Sequence, residues 1–181
     1  MQVVNPVTVV DAPDLKIVEY IGRVASSTAE ISACVATVTA ACEEAFQAPA
    51  FDEYVIVLEG SVDILLGSSG QTTNVKAGSA FILPANTRVQ WKWSGPCKYV
   101  PICLPAFNIE NCGREAEEAG VATAKSGEPL EKLRRLHASA SAQDGAKQVH
   151  VHYQLTFGFW FGLVAGGLLC VAASAATRRS R

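Results

Sequence analysis

No C-x-x-C pair, no basic surplus and no nucleotide-binding or nucleophile motif occurs in this 181-residue sequence. Its 15 basic and 17 acidic residues give a formal net charge of -2, whereas nucleic-acid binding needs Lys and Arg to neutralise phosphates, so no nucleic-acid partner is expected. Cys34, Cys42, Cys97, Cys103, Cys112 and Cys170 sit in apolar stretches without the spacing of a zinc site or a disulfide framework. Buried reduced thiols are expected, with a Cys97–Cys103 or Cys103–Cys112 bridge as the alternative. The first twenty residues lack a basic n-region, an unbroken apolar core and a cleavage site, and are not Arg/Ser-rich, so they read neither as a secretory signal nor as a transit peptide. A phosphate-binding glycine loop, a G-x-S-x-G elbow, an HExxH helix and a paired-carboxylate pattern are all missing, so no motif names a reaction.

What is present begins with short apolar runs of period two, broken by Gly, Pro, Asn and Ser. They predict strands over Thr8–Val10, Lys16–Val24, Ile31–Thr39, Glu53–Leu58, Ser61–Leu66, Thr72–Val75, Ser79–Leu83, Arg88–Trp93 and Lys98–Leu104. Strands at this even spacing argue for an all-β sandwich or barrel over residues 1–112. After Cys112 the composition shifts to Glu, Ala, Lys and Leu, and residues 113–137 read as a helical segment. Within it Pro129 suits a first turn, and Leu130, Leu133 and Leu136 form a stripe that should pack on the barrel or on a partner. Residues 138–152 open with ASASAQDGAK, the composition of a flexible linker.

Leu155–Ala176 is 22 residues without a charge, about 33 Å as a helix against a bilayer core of roughly 30 Å, and predicts a membrane span within residues 153–177. Tyr153, Phe157 and Trp160 crowd one end as interfacial aromatics, and the basic tail 178–181 closes the other with Arg178, Arg179 and Arg181. The arginines favour the C-terminus on the cytosol-like side, whereas a tail anchor without a signal would do the reverse, and both orientations stay open. Gly158, Gly162 and Gly166 recur every fourth residue, the pattern of a close helix–helix packing face. His150 and His152 stand just before the span; an H-x-H pair chelates from a strand but diverges by about 200° on a helix. They read as ordinary interfacial polar residues, with ligation of a metal or of a pigment's magnesium as the alternative.

The runs FDEYVIVLEGSVDIL (Phe51 to Leu65) and AGSAFILPANTRVQW (Ala77 to Trp91) resemble the two motifs of the cupin superfamily, and CLPAFNIENCGRE (Cys103 to Glu115) resembles the segment that ends such barrels. The resemblance implies a cupin β-barrel of the jelly-roll type, followed here by a short amphipathic helix and the C-terminal span. It also implies a metal site, and the sequence departs from that site. Glu53 and Gly60 keep the last two fixed positions of the first motif, but its histidines would fall at Gln47 and Pro49, or at Phe46 and Ala48. In the second motif Gly78 and Pro84 match, whereas Asn86 replaces the second glycine, Val89 the histidine and Trp93 the asparagine. One carboxylate without imidazoles cannot hold a divalent ion against water, so no metal is expected in the barrel, and no other cofactor. Strand parity turns Val89, Trp91 and Trp93 inward with Glu53, so that two indoles fill much of the space where a cupin places metal and substrate; the alternative is that both face outward as an exposed aromatic patch suited to a partner. Glu53 reads as a polar residue satisfied near the barrel mouth, or as a buried acid of raised pKa.

These readings favour a non-catalytic accessory subunit of a membrane supercomplex. Its expected partners are the lipid bilayer and neighbouring subunits met through Gly158, Gly162 and Gly166, with pigment or lipid contact along the span. The expected setting is an organellar membrane, thylakoid ahead of mitochondrial inner membrane, by analogy only. The alternatives are a membrane-tethered, metal-free cupin that binds a small organic ligand among its tryptophans, and an enzyme acting through Glu53 alone.

Overall fold

The computed structural model describes residues 1–116 and 123–142. Among the described residues there are ten strands: β1 (Val7–Asp11), β2 (Leu15–Ile21), β3 (Ser32–Val38), β4 (Cys42–Glu43), β5 (Asp52–Glu59), β6 (Ser61–Leu66), β7 (Thr72–Lys76), β8 (Ala80–Leu83), β9 (Val89–Trp93) and β10 (Cys97–Leu104). They form a six-stranded sheet in the order β1-β2-β3-β10-β5-β8 and a four-stranded sheet in the order β4-β9-β6-β7, antiparallel at every pairing. The consecutive strands β5 and β6 belong to different sheets, as do β8 and β9, and this crossing joins the two layers into a jelly roll.

Alternation decides which side chains fill the space between the sheets. Val55 and Val57 of β5, Val62 and Ile64 of β6, and Val89, Trp91 and Trp93 of β9 are buried in one core with Tyr99, Ala36, Val38, Val10 and Leu15. Tyr54, Ile56 and Leu58 take the alternate positions of β5 and are exposed. Gly60 turns β5 into β6 with φ +70°, and a Cβ there would lie 2.1 Å from the Pro96 carbonyl oxygen, so this turn admits glycine only.

Nine of these strands overlap those predicted from the alternation, and the differences have local causes. The second predicted strand ends at Ile21 rather than Val24, because the Glu19 carboxylate folds back to accept the N–H groups of Val24 and Ala25, both at 2.8 Å, and turns the chain there. The two-residue β4, which pairs with β9 through Cys42↔Trp93 and Glu43↔Lys92, is too short to carry an alternation.

The helix α1 spans residues 128–142. It starts well after residue 113, because Gly113 to Glu115 are still tied to the barrel: the Gly113 carbonyl accepts from the Ala48 N–H, Gln47 bridges Arg114, and the Glu115 N–H donates to the Phe46 carbonyl. It also runs on through residues 138–142, read above as linker, since Ala138, Ala140 and Ala142 are strong helix formers and the Ser139 hydroxyl donates to the Arg135 carbonyl. Leu133, His137 and Ala140 are its buried residues, and Leu133 joins the barrel core with Leu136 packed beside it. The leucine stripe thus packs on the barrel.

No helix among the described residues is long and apolar enough to cross a membrane. Leu155–Ala176, with Gly158, Gly162 and Gly166, and the pair His150 and His152 lie outside the described residues.

Candidate functional site: the lumen between the sheets

The space between the sheets is not filled. A cavity of about 70 Å³ remains, walled by residues of both sheets and of α1. Trp91, Trp93 and Tyr99 stand nearly parallel, with ring centroids 5.5–6.0 Å apart and interplanar angles of 22–29°. Phe81 tilts against Trp91 at 5.6 Å. The indoles turn inward, as parity from Val89 predicts, but they stack flat into one wall and leave the space before it open.

Polar side chains share the lining with these rings. Glu53 of β5 faces the cavity, and desolvation raises its pKa to about 7 although the Lys125 ammonium opposes the shift. Glu44, directly after β4, is buried between two cations: Arg114 donates to Oε2, and Lys125 Nζ lies 3.3 Å from Oε1. Arg114 also donates to the Thr123 hydroxyl. Glu19 is buried at a third point, its pKa raised by desolvation against the hydrogen bonds from Ala25 and Val24. His137 of α1 sits edge-on to Phe107 with centroids 5.3 Å apart. Burial, and next the charge of Arg23, push its pKa down to about 4, so it is neutral at neutral pH.

Two thiols complete the lining. Burial pushes Cys34 up to about 12 and Cys103 well above its usual range, and the nearby carboxylates push in the same direction. Neither is a nucleophile at neutral pH. Cys34, Cys42, Cys97, Cys103 and Cys112 are all free, so the Cys97–Cys103 and Cys103–Cys112 bridges are not formed.

The metal that a cupin barrel implies does not fit these residues. Of the motif positions, Glu53 offers a carboxylate and Gln47 a carboxamide at the cavity, while Val89 presents methyl groups and is wholly buried. No imidazole occupies a motif position, and among the described residues no group of three His, Cys, Asp or Glu side chains is placed to share an ion. The predicted interior residues Glu53, Val89, Trp91 and Trp93 are all buried, three of them at the cavity. Glu44, Lys125 and His137 escaped sequence reasoning. The signal for His137 is its place four residues after Leu133, on the face of α1 that the leucines mark.

Two facing antiparallel sheets closed around a side-chain-lined lumen make a β-barrel of the jelly-roll type. Residues 27–98 match the family of EutQ-like cupin domains. Among solved structures the chain is similar to a putative ethanolamine utilization protein Q of Salmonella typhimurium, 18% identical over 51% of this chain and 71% of that one with a TM-score of 0.42. It is similar to KdgF from Halomonas sp., 15% identical over 53% and 83% with a TM-score of 0.45, and to the polyketide cyclase RemF from Streptomyces resistomycificus, 15% identical over 72% and 92% with a TM-score of 0.47. Each is a likeness in fold, and none of those activities is carried over to this chain. A curated protein of Myxococcus xanthus, named Endoribonuclease YbeY, is 33% identical over 97 residues, which make up 52% of this chain. The chain spans about a third of that protein's length.

Proposed function

We propose that this cupin barrel is a metal-free binding module that holds a small organic molecule in its lumen, and that Leu155–Ala176 tethers it to a membrane. The observation that carries the reading is the cavity itself: about 70 Å³ kept open and lined by a three-ring wall together with the polar groups Glu53, Gln47, Lys125 and His137. A site that served packing alone would close with apolar side chains, whereas a largely apolar lining with a few polar groups is the composition of a ligand site. The tether rests on the 22 uncharged residues of that segment. An RNA substrate of the kind named for the Myxococcus protein finds no support in a chain of net charge -2.

The test is a thermal-shift screen of the detergent-solubilised full chain against small acids, amides, alcohols and sugars. A saturable rise in Tm for one chemical class supports the reading, because a ligand that binds only the folded state stabilises it by mass action. A screen without any such rise removes it.

A second reading, an accessory subunit of a membrane assembly, is favoured by the outer face of the six-stranded sheet. There Tyr54, Ile56, Leu58 and Ile82 are exposed, with Tyr54 paired to Ile82. Native membranes solubilised in mild detergent and separated by size decide it: migration with a large complex supports a subunit, and migration alone as a monomer or dimer excludes one.

A further inference from the structure

The lumen holds hydrogen-bonding groups of both kinds that the protein leaves unused. Trp91 Nε1, Trp93 Nε1, both ring nitrogens of His137 and Glu44 Oε1 are buried without a hydrogen-bond partner among the described residues, and all four side chains line the cavity. Trp93 has only the weakly accepting Cys97 sulfur beside it, and Glu44 Oε1 has the Lys125 ammonium at 3.3 Å as an ion pair. An indole N–H only donates, a carboxylate oxygen only accepts, and a neutral imidazole does one of each. The unmatched set is therefore mixed, three donors beside two acceptors. Buried polar groups in folded proteins are nearly always paired, so such a set marks where an occupant supplies the missing partners. His137 makes the case most directly: it is 2% exposed, reaches the lumen from α1 and rests on Phe107 through its ring alone.

Charge narrows the class of occupant. The lining sets the carboxyl groups of Glu19, Glu44 and Glu53 against the single ammonium of Lys125, and His137 is neutral. An anion would be buried against three carboxyl groups and would bring no donor for Glu44 Oε1. An ammonium would meet Lys125, which already stands at the Glu44 carboxylate, and would bring no acceptor for the indole N–H groups. A neutral molecule that both donates and accepts answers every unmatched group without adding charge. Those groups come from separate elements, Trp91 and Trp93 from β9, Glu44 from the chain after β4 and His137 from α1, so the polar atoms of the occupant must be distributed along it. Hydroxyl groups meet this requirement, since each donates once, accepts twice and rotates to suit its surroundings. Glu53 serves a hydroxyl in either of its states, donating when protonated and accepting when ionised. The C–H surface between hydroxyls packs on the wall of rings. A volume of about 70 Å³ admits on the order of five or six heavy atoms.

We infer that the lumen binds a small neutral polyol of about three carbons, whose hydroxyl oxygens accept from the Trp91 and Trp93 indoles and whose hydroxyl hydrogens reach Glu44 and His137. This rests on the binding reading above and adds to it the ligand class and the residues that select it. One of them, His137, lies outside the region matched by the cupin family.

The experiment follows the indole and imidazole ¹⁵N signals of the detergent-solubilised full chain during titration with glycerol, glycerate, aminopropanediol and propanol, which share a carbon chain length and differ in charge and hydroxyl number. Signals are followed rather than Tm, because polyols raise the Tm of any protein by exclusion from its surface. Glycerol is expected to saturate, to move the signals of Trp91, Trp93 and His137, and to bind on the order of tenfold more tightly than the other three. Trp91→Phe, which keeps a ring in the wall and removes its donor, should weaken glycerol about fivefold, and the wild-type signals decide the case if that variant fails to fold. Glycerate or aminopropanediol bound as tightly as glycerol would overturn the neutral class, and propanol bound as tightly would overturn the matching of hydroxyls. Either result leaves the binding module standing. Saturation by glycerol without movement of these signals would overturn the site, and unchanged affinity in Trp91→Phe would overturn the role of that indole. Silence toward all four compounds, while another class raises Tm saturably in the wider screen, would overturn the polyol and keep the module. Silence in both would remove both.

Discussion

Two carboxylates approach the same lumen from opposite sheets and meet different surroundings. Glu44, beside β4 of the four-stranded sheet, has Arg114 and Lys125 on its two oxygens. Glu53, on β5 of the six-stranded sheet, has the more distant charge of Lys125 and a pKa raised to about 7. Both are buried. At Glu44 the loss of water is answered by ion pairs, which makes that end of the lumen a fixed part of the fold. At Glu53 it is answered in part by retention of a proton, so the charge at that end changes with pH near 7. The comparison locates structure at one end of the lumen and responsiveness at the other.

The hardest test of this contrast is to break the Glu44 end. Arg114→Met leaves Glu44 buried with one cation, and a loss of about 3–5 kcal/mol is expected in urea unfolding, most of it recovered when Glu44→Gln is added. A loss below about 1 kcal/mol would mean that the two ends are alike. Next is Glu53→Gln. A folded-state pKa near 7 against an ordinary 4.5 means that the native state holds the proton longer. The contribution of this group is full below pH 4.5 and is lost as pH rises through 7, about 3 kcal/mol in all. Glu53→Gln should lack that slope and gain on the wild type between pH 5 and pH 8, read as the difference in unfolding midpoints.

His137 runs the other way. Its folded pKa lies near 4, below the ordinary 6.5, so its contribution is full above pH 6.5 and declines as the pH falls toward 4. Between pH 6.5 and pH 5 that amounts to about 2 kcal/mol, opposing the Glu53 slope over the same interval. His137→Phe should remove this acid limb, so that its stability falls more steeply with rising pH than that of the wild type. The smallest effect belongs outside the lumen. Ile82→Thr, on the exposed face of β8, should change stability by less than about 0.5 kcal/mol, and a larger loss would show that this face is covered.

The alternation of apolar residues located nine strands, and the inward direction of Trp91 and Trp93 followed from strand parity with Val89. What parity does not contain is distance. Whether two indoles fill a lumen or stack against one side of it depends on Tyr99, a β10 residue of the other sheet that joins their stack. The polar half of the site was less legible still. Glu44 belongs with a two-residue strand, Lys125 follows the stretch after Cys112, and His137 lies on a helix whose stripe is visible but whose docking place is not. Their meeting is a product of tertiary contacts, such as the Ala124 N–H donating to the Glu43 carbonyl, which no local periodicity encodes.

That α1 carries Leu133 and His137 into the barrel also bears on how such a protein diversifies. The region matched by the cupin family, residues 27–98, can stay constant while the helix is exchanged. On the binding reading, a graft of residues 128–142 from a related chain would carry selectivity with it, and a library randomised at positions 133 and 137 would sample new specificities on an unchanged scaffold.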